Sequence, residues 1–94
     1  MKTPTFAGSA RPRLARGVRL QTDVKTGNSV LLFPEGVLEL NETAREIVTK
    51  CDGRRVDEII QALAQEYDAD PQMLGADVQE TLVDLQRRKL IEFA

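Results

Sequence analysis

The 94-residue chain contains no histidine, no tryptophan and only one cysteine. Without histidine, neither a Ser-His-Asp nor a Cys-His catalytic arrangement is available. A single cysteine without histidine also leaves no credible set of zinc ligands. One cysteine excludes an internal disulfide, which favours a reducing compartment such as the cytoplasm. These absences point away from an enzyme and away from a bound metal or other cofactor.

Three further signals are missing from the sequence. Neither a GxGxxG nor a GxxxxGK[ST] phosphate-binding loop is present. No apolar run approaches the roughly 20 residues of a membrane-spanning helix. The first residues lack the apolar stretch of a secretory signal. We therefore expect a cytoplasmic, non-catalytic protein that does not enter a membrane.

Charge is distributed unevenly along the chain. Residues 1–25 carry six basic residues and one acidic residue, whereas the rest of the chain carries seven basic and fourteen acidic residues. A basic segment of this kind suits an acidic surface, either its own or that of a partner. Residues 1–10 are small and polar and include proline and glycine, so we interpret them as a flexible N-terminal arm. Residues 11–94 are then one small domain with a modest core.

A predicted antiparallel sheet occupies the first half of the domain. Residues 18–23 alternate between apolar and polar side chains, as in a half-buried strand. The apolar runs Leu31–Phe33 and Val37–Leu40 flank the turn residues Pro34, Glu35 and Gly36. The second of these three strands is the most apolar, which predicts a central strand covered on both faces. The third strand is then an edge, and an open edge can bind a peptide as an added strand.

Three helices are predicted in the second half. Asn41 is a suitable N-cap for the first helix, and Gly53 is expected to end that helix. The second helix begins at Val56. Asp70 followed by Pro71 marks the start of the third, which extends to about Lys89. Cys51 falls on the apolar face of the first helix, so we interpret it as a buried hydrophobic residue. The predicted fold is α+β and winged-helix-like: a three-stranded antiparallel sheet followed by three helices.

The third helix has an apolar arc wider than one packing face requires. Its core stripe consists of Leu74, Val78, Leu82 and Leu85, and a second, mixed line consists of Ala76, Gln79, Val83, Gln86 and Leu90. The second line either packs in the domain or a dimer, or lines a binding groove. Because Val83 lies off the core stripe, we expect Val83→Asp to weaken binding without unfolding the domain.

Two other functions fit the same pattern of elements. An open strand edge and a wide apolar arc also suit a self-associating structural module such as a homodimer. A winged helix also suggests DNA binding. However, the second helix has no lysine or arginine, and the third has basic residues only at its C-terminal end. Protein or peptide binding is therefore favoured over nucleic-acid binding.

Three segments resemble one known family. The segments PRLARGVRL (12–20), LLFPEGVLELNETAREIVTKCDG (31–53) and ADVQETLVDLQRRKLI (76–91) resemble the PqqD family, the peptide chaperone of pyrroloquinoline quinone (PQQ) biosynthesis. The resemblance implies a protein that binds the leader of the precursor peptide PqqA. It also implies binding to the radical S-adenosylmethionine enzyme PqqE, which crosslinks a Glu and a Tyr of PqqA.

The resemblance also implies a site. In related elements the leader adds as a strand beside the third strand and lies in a groove bordered by the third helix. Carried onto this chain, the peptide-binding residues are Val37, Leu38, Glu39, Leu40, Gln79, Leu82, Val83 and Gln86. Two positions depart from the family: Arg55 stands where relatives often have a Ser or Thr cap, and Lys89 where glycine is common. These departures affect the start of the second helix and the turn after the third.

Overall fold

The computed structural model describes residues 6–93. The elements in chain order are β1 (Pro12–Leu14), β2 (Arg19–Thr22), β3 (Ser29–Phe33), β4 (Gly36–Leu40), α1 (Glu42–Thr49), α2 (Val56–Tyr67), α3 (Pro71–Arg87) and β5 (Ile91–Phe93). Strands β2, β3 and β4 form an antiparallel sheet in that order, and β1 pairs with β5. The α+β class and the three-stranded sheet followed by three helices are confirmed. The small β1–β5 sheet was not predicted.

Strand β3 is the central strand, as its apolar run predicts. Leu31 is completely buried, and it pairs with Leu38 of β4. Val30 and Leu32 point to the other face of the sheet and are only half-buried. The expectation that both faces are covered was therefore wrong, because Leu31 is buried on one face while Val30 and Leu32 stay partly exposed on the other.

Helix α1 begins at the predicted cap and ends earlier than predicted. The Asn41 side chain accepts a hydrogen bond from the Ala44 N–H at 2.7 Å. The Lys50 and Cys51 N–H groups donate to carbonyls three residues back, at 3.0 Å each. This tightens the last turn and ends the helix at Thr49 rather than near Gly53. Cys51 therefore lies in the turn after α1, still buried.

The start of α2 uses main-chain caps from elsewhere in the molecule. The Arg55 guanidinium cannot accept a hydrogen bond, so it cannot replace a Ser or Thr cap. Instead the Ala10 and Gly8 carbonyls accept from the Val56 and Asp57 N–H groups at 2.8 and 3.0 Å. Residues 8–10 thus hold the first turn of α2, which differs from the flexible arm expected for residues 1–10. Residues 1–5 lie outside the described part, and the domain boundary at residue 11 stays a prediction.

Helix α3 starts as predicted and ends in a left-handed turn. Asp70 accepts from the Gln72 N–H at 2.9 Å, and Pro71 is the first helical residue. At the other end, the Leu90 N–H donates to the Leu85 carbonyl and the Lys89 N–H to the Gln86 carbonyl, each at 2.9 Å. This pair of bonds is the Schellman motif, and it places Lys89 at φ +61°. A lysine therefore occupies a position that favours glycine.

The core lies between the inner face of the sheet and the three helices. Its most buried side chains are Leu31, Ile47, Val56, Ile59, Leu63, Val78, Leu82, Leu85 and Leu90. The Lys50 amino group is also buried, and it lies 3.4 Å from the Glu46 carboxylate and 3.0 Å from that of Glu66, which joins α1 to α2. In the described residues, no helix is both long enough and apolar enough to cross a membrane.

Candidate functional site

An open groove of about 1120 Å³ separates β4 and α1 from α3. Residues 38–40 of β4, with Asn41, Thr43 and Ala44, form one wall. The opposite wall is the exposed side of α3 between Gly75 and Arg87. The groove thus lies between an edge strand and a long helix.

The β4 wall presents alternate side chains to two faces. Leu38 is half-buried and Leu40 buried, whereas Val37 is 62% exposed and Glu39 is exposed. The Glu39 carboxylate accepts a hydrogen bond from the Asn28 amide at 3.1 Å. No strand within residues 6–93 pairs with the far edge of β4. Its outward main-chain N–H and C=O groups are therefore available to another strand.

The α3 wall combines small, apolar and charged residues. Ala76 and Val83 supply apolar surface, although Val83 is only 5% exposed. The charged residues on this wall are Asp77, Glu80, Asp84 and Arg87. Most of the formal charge on this side of the groove is negative. The wall therefore offers an apolar strip with a charged margin.

Gln79 already binds a main chain in this structure. Its Oε1 accepts from the Phe6 N–H at 2.7 Å, and its Nε2 donates to the Phe6 carbonyl at 2.9 Å. The Phe6 ring lies against Phe93, with 4.4 Å between ring centroids. Gln79 therefore holds the N-terminal segment at the margin of the groove. Helical periodicity alone gave no signal for this contact.

The structure brings together five of the eight residues predicted to bind peptide: Leu38, Glu39, Leu40, Gln79 and Val83. Val37 lies on β4 but is not part of the groove lining, and neither is the exposed Gln86. Leu82 is completely buried in the core and offers no surface to a ligand, which corrects its place in the set. The peptide-binding role of the others stays a prediction.

The sequence reasoning missed the contribution of α1 to the groove. Asn41, Thr43 and Ala44 line the β4 side of the groove next to Leu40. The signal was present in the chain, because the predicted third strand runs into Asn41 without a linker. Since α1 starts two residues after β4 ends, its first turn borders the same groove.

Cys51 has no nucleophilic character in this fold. Burial, and secondarily the charge of Asp52, raise the pKa of its thiol to about 12. The thiol donates to the Ile47 carbonyl at 3.3 Å. A thiol with this pKa is protonated at neutral pH and does not act as a nucleophile. In the part of the chain that the structure describes, no three His, Cys, Asp or Glu side chains group as metal ligands.

Comparison with known proteins identifies the family. The family model described as coenzyme PQQ synthesis protein D (PqqD) matches residues 28–91. The chain belongs to the PqqD family. The resemblance inferred from the three sequence segments is confirmed. The match includes both walls of the groove, since it runs from β3 to β5.

Two relatives of this PqqD-family chain differ in length. A PqqA binding protein of Xanthomonas oryzae pv. oryzae is 43% identical over 83 residues, which are 87% of this chain and 90% of that protein. The bifunctional coenzyme PQQ synthesis protein C/D of Methylorubrum extorquens is 42% identical over 88 residues, 93% of this chain. This chain spans only 24% of that longer protein.

Solved structures share the fold. The solution NMR structure of the PqqD truncation of Methylobacterium extorquens PqqCD is 42% identical, with a TM-score of 0.79 over 93% of this chain and 94% of that one. That truncation is described as a recognition element for ribosomally synthesised and post-translationally modified peptides (RiPPs). The complex of TbiB1 with the TbiA(β) leader peptide has a TM-score of 0.73 over 85% of this chain and 94% of that one. Its 24% identity establishes the common fold alone.

Proposed function

We propose that this chain is a non-catalytic peptide chaperone of PQQ biosynthesis that binds the leader of PqqA and presents it to PqqE. The observation that carries the proposal is the open β4 edge facing α3 across a groove. Relatives that are 43% identical and named PqqA binding protein support PqqA as the ligand. The similar structure of a RiPP recognition element supports peptide recognition as the role.

The groove supports binding by strand addition. Main-chain N–H and C=O groups of the leader pair with the open edge of β4 and supply affinity that is independent of sequence. Alternate leader side chains then point to opposite faces. One set enters the groove against Leu38 and Val83, and the other lies beside Val37 on the outer face. A few apolar anchors in the groove dominate the binding energy.

Presentation of the bound leader to PqqE is the second part of the proposal. The buried thiol of Cys51 and the lack of histidine support a role without chemistry of its own. A bifunctional C/D relative supports a role beside other proteins of the pathway. The basic residues Arg11, Arg13 and Arg16 are candidate contacts for the enzyme. The cytoplasmic location expected from the composition stays a prediction.

Titration calorimetry tests the proposal. The protein is titrated with synthetic PqqA and with a version that lacks the leader, and we expect saturable binding of the first only. A series of leader peptides, each N-methylated at one amide, then tests strand addition. We expect affinity to fall at every second position, because alternate N–H groups of an added strand face β4. Loss without this alternation contradicts strand addition, and absence of any binding contradicts the proposed function.

Self-association is the second candidate function. The open β4 edge and the 62% exposed Val37 favour it, because two copies of an edge strand can pair across a two-fold axis. Light scattering over a range of concentrations distinguishes a monomer from a dimer. A dimer that dissociates when the leader is added would show that both use the same edge. DNA binding is disfavoured, since Asp77, Glu80 and Asp84 on the exposed side of α3 repel phosphate.

A further inference from the structure

The charges on the groove side of α3 are sorted along its length. Asp77 and Glu80 lie in the first part of the wall, and Arg87 lies in its last turn. At 1.5 Å per residue, Asp77 and Arg87 are about 15 Å apart along the helix. None of the three makes an ion pair with another described residue, whereas Asp84 is paired with Arg88 at 3.1 Å. The groove therefore has an acidic half and a basic half.

Two contacts show which end of β4 lies beside the acidic half of α3 and which lies beside the basic half. The Ala15 N–H donates to the Leu90 carbonyl at 2.9 Å, which places the β1–β2 loop beside the C-terminal end of α3. In the same loop, a Cβ atom on Gly17 would lie 3.9 Å from Pro34 Cδ in the β3–β4 turn. The Gly36 end of β4 therefore lies near the basic half of the groove, and the Leu40 end lies near the acidic half.

Further charges reinforce this arrangement. Arg16 follows Ala15 and Lys89 precedes Leu90, so the hydrogen bond between Ala15 and Leu90 brings two more exposed cations to the basic end. At the other end, the exposed Glu42 opens α1 directly after Asn41. The sorting thus extends beyond α3 to both ends of the groove, with the exposed Glu35 of the β3–β4 turn as an acidic exception at the basic end.

We propose that the groove reads the order of charges in its peptide and so fixes the direction of the bound strand. The preferred ligand is an extended peptide with a cationic side chain at the Leu40 end, beside Asp77 and Glu80, and an acidic side chain at the Gly36 end, beside Arg87. This inference rests on the proposed function and specifies its ligand. Main-chain pairing at an edge allows both parallel and antiparallel strands, so a second feature must select one of them.

Each of these ion pairs between groove and peptide contributes little to the affinity. An exposed ion pair changes a dissociation constant by about 1.5- to 5-fold. Two pairs at opposite ends act together, because reversing the peptide removes both. The correct order of charges is therefore expected to bind about 2- to 25-fold more tightly than the reverse order. This preference weakens as salt screens the exposed charges.

Two isomeric peptides test the inference. Both carry the apolar residues of the PqqA leader, and both carry one lysine pair and one glutamate pair, placed in opposite orders at the two ends. Their composition and net charge are identical, so non-specific electrostatic attraction is the same. Calorimetric titration at low salt is expected to give the 2- to 25-fold difference in Kd. A spin label at one peptide end shows the direction of binding, because it broadens the amide signals of either the Gly36 end or the Leu40 end of β4. Equal affinities for two isomers bound in the same direction would overturn the inference.

Protein variants assign the preference to the groove. The triple variant Asp77→Asn, Glu80→Gln, Arg87→Gln is expected to lose most of the difference in affinity between the two isomers. The control Lys25→Gln, Asp68→Asn removes one exposed charge of each sign outside the groove lining and is expected to keep the full difference. An undiminished difference in the triple variant would overturn the assignment. If wild-type protein binds native leader but does not distinguish the isomers, only this inference fails; if it binds no leader, the proposed function fails as well.

Discussion

The three-stranded sheet has two open edges, and they differ in what lies beside them. In the described chain, β2 and β4 each pair only with β3. β2 exposes Arg19, Gln21 and Thr22, and none of its residues lines the groove. β4 instead faces α3 across the groove. Open main-chain groups are common to both edges, so the second wall is what makes β4 the candidate site.

This comparison also explains how the other edge is protected. A charged side chain on a short strand disfavours pairing with another chain, and β2 has four residues with Arg19 at its start. Selectivity for a peptide therefore depends on α3, which must be held at a fixed distance from β4.

The largest expected effect is on the inner side of α3. Leu82→Ala removes a completely buried side chain and should lower the free energy of unfolding by about 2–5 kcal/mol. Gln86→Ala, at an exposed position one turn later, should change it by less than about 0.5 kcal/mol. Thermal and denaturant unfolding measure both. Similar stabilities for the two variants would show that Leu82 does not anchor the wall.

Val83 shows how the groove and the core overlap. Because it is only 5% exposed, Val83→Asp would bury a carboxylate, so the expected binding loss without unfolding no longer applies. Val83→Ala is the better probe and should lower the free energy of unfolding by about 1–3 kcal/mol. It should also weaken leader binding, since Val83 lines the groove. Calorimetry on the folded variant that retains full affinity would remove Val83 from the site.

A matched pair of leucines compares the two edges directly. Leu38 of β4 and Leu20 of β2 are both half-buried. Either alanine substitution should cost about 1–2 kcal/mol of stability. Leu38→Ala should also weaken leader binding about 5- to 30-fold, as loss of an apolar anchor, whereas Leu20→Ala should leave the Kd within about twofold. Equal losses of affinity would mean that the leader does not distinguish the edges.

The smallest expected effect is a gain in stability at the end of α3. Lys89 has φ +61°, which costs a residue with a side chain about 1–2 kcal/mol relative to glycine. Lys89→Gly should therefore raise the free energy of unfolding by about 1 kcal/mol, with Lys89→Ala as the control that removes the charged chain and keeps Cβ. A Lys89→Gly variant no more stable than Lys89→Ala would show that backbone conformation is not the cause.

Much of the fold was predictable from local signals. The caps Asn41 and Asp70 and the turn at Pro34–Gly36 were each recognisable from single residues with a known backbone preference. The end of α1 was not, because a tightened last turn needs no special residue. The β1–β5 sheet joins residues about 80 positions apart, and short strands of three residues carry little pattern of their own.

The site was predictable in its position and less so in its details. The edge position of β4 and the wide arc of α3 indicated a groove, and the family resemblance assigned it to a peptide. Helical periodicity placed Leu82 on the core stripe, as observed, and the family resemblance alone placed it in the groove. Periodicity could not show that Gln79 holds Phe6, because this contact depends on which segment packs against α3. The caps that Gly8 and Ala10 provide were equally hidden, since a carbonyl cap leaves no sequence signal.

The most direct test of the central claim is amide hydrogen exchange by NMR, with and without the PqqA leader. Strand addition at β4 predicts that leader slows exchange at alternate residues of Gly36–Leu40 and leaves Arg19–Thr22 unchanged. The two strands are edges of one sheet, so β2 is an internal control for general stabilisation. Equal slowing at both edges, or slowing at β2 alone, would contradict the account.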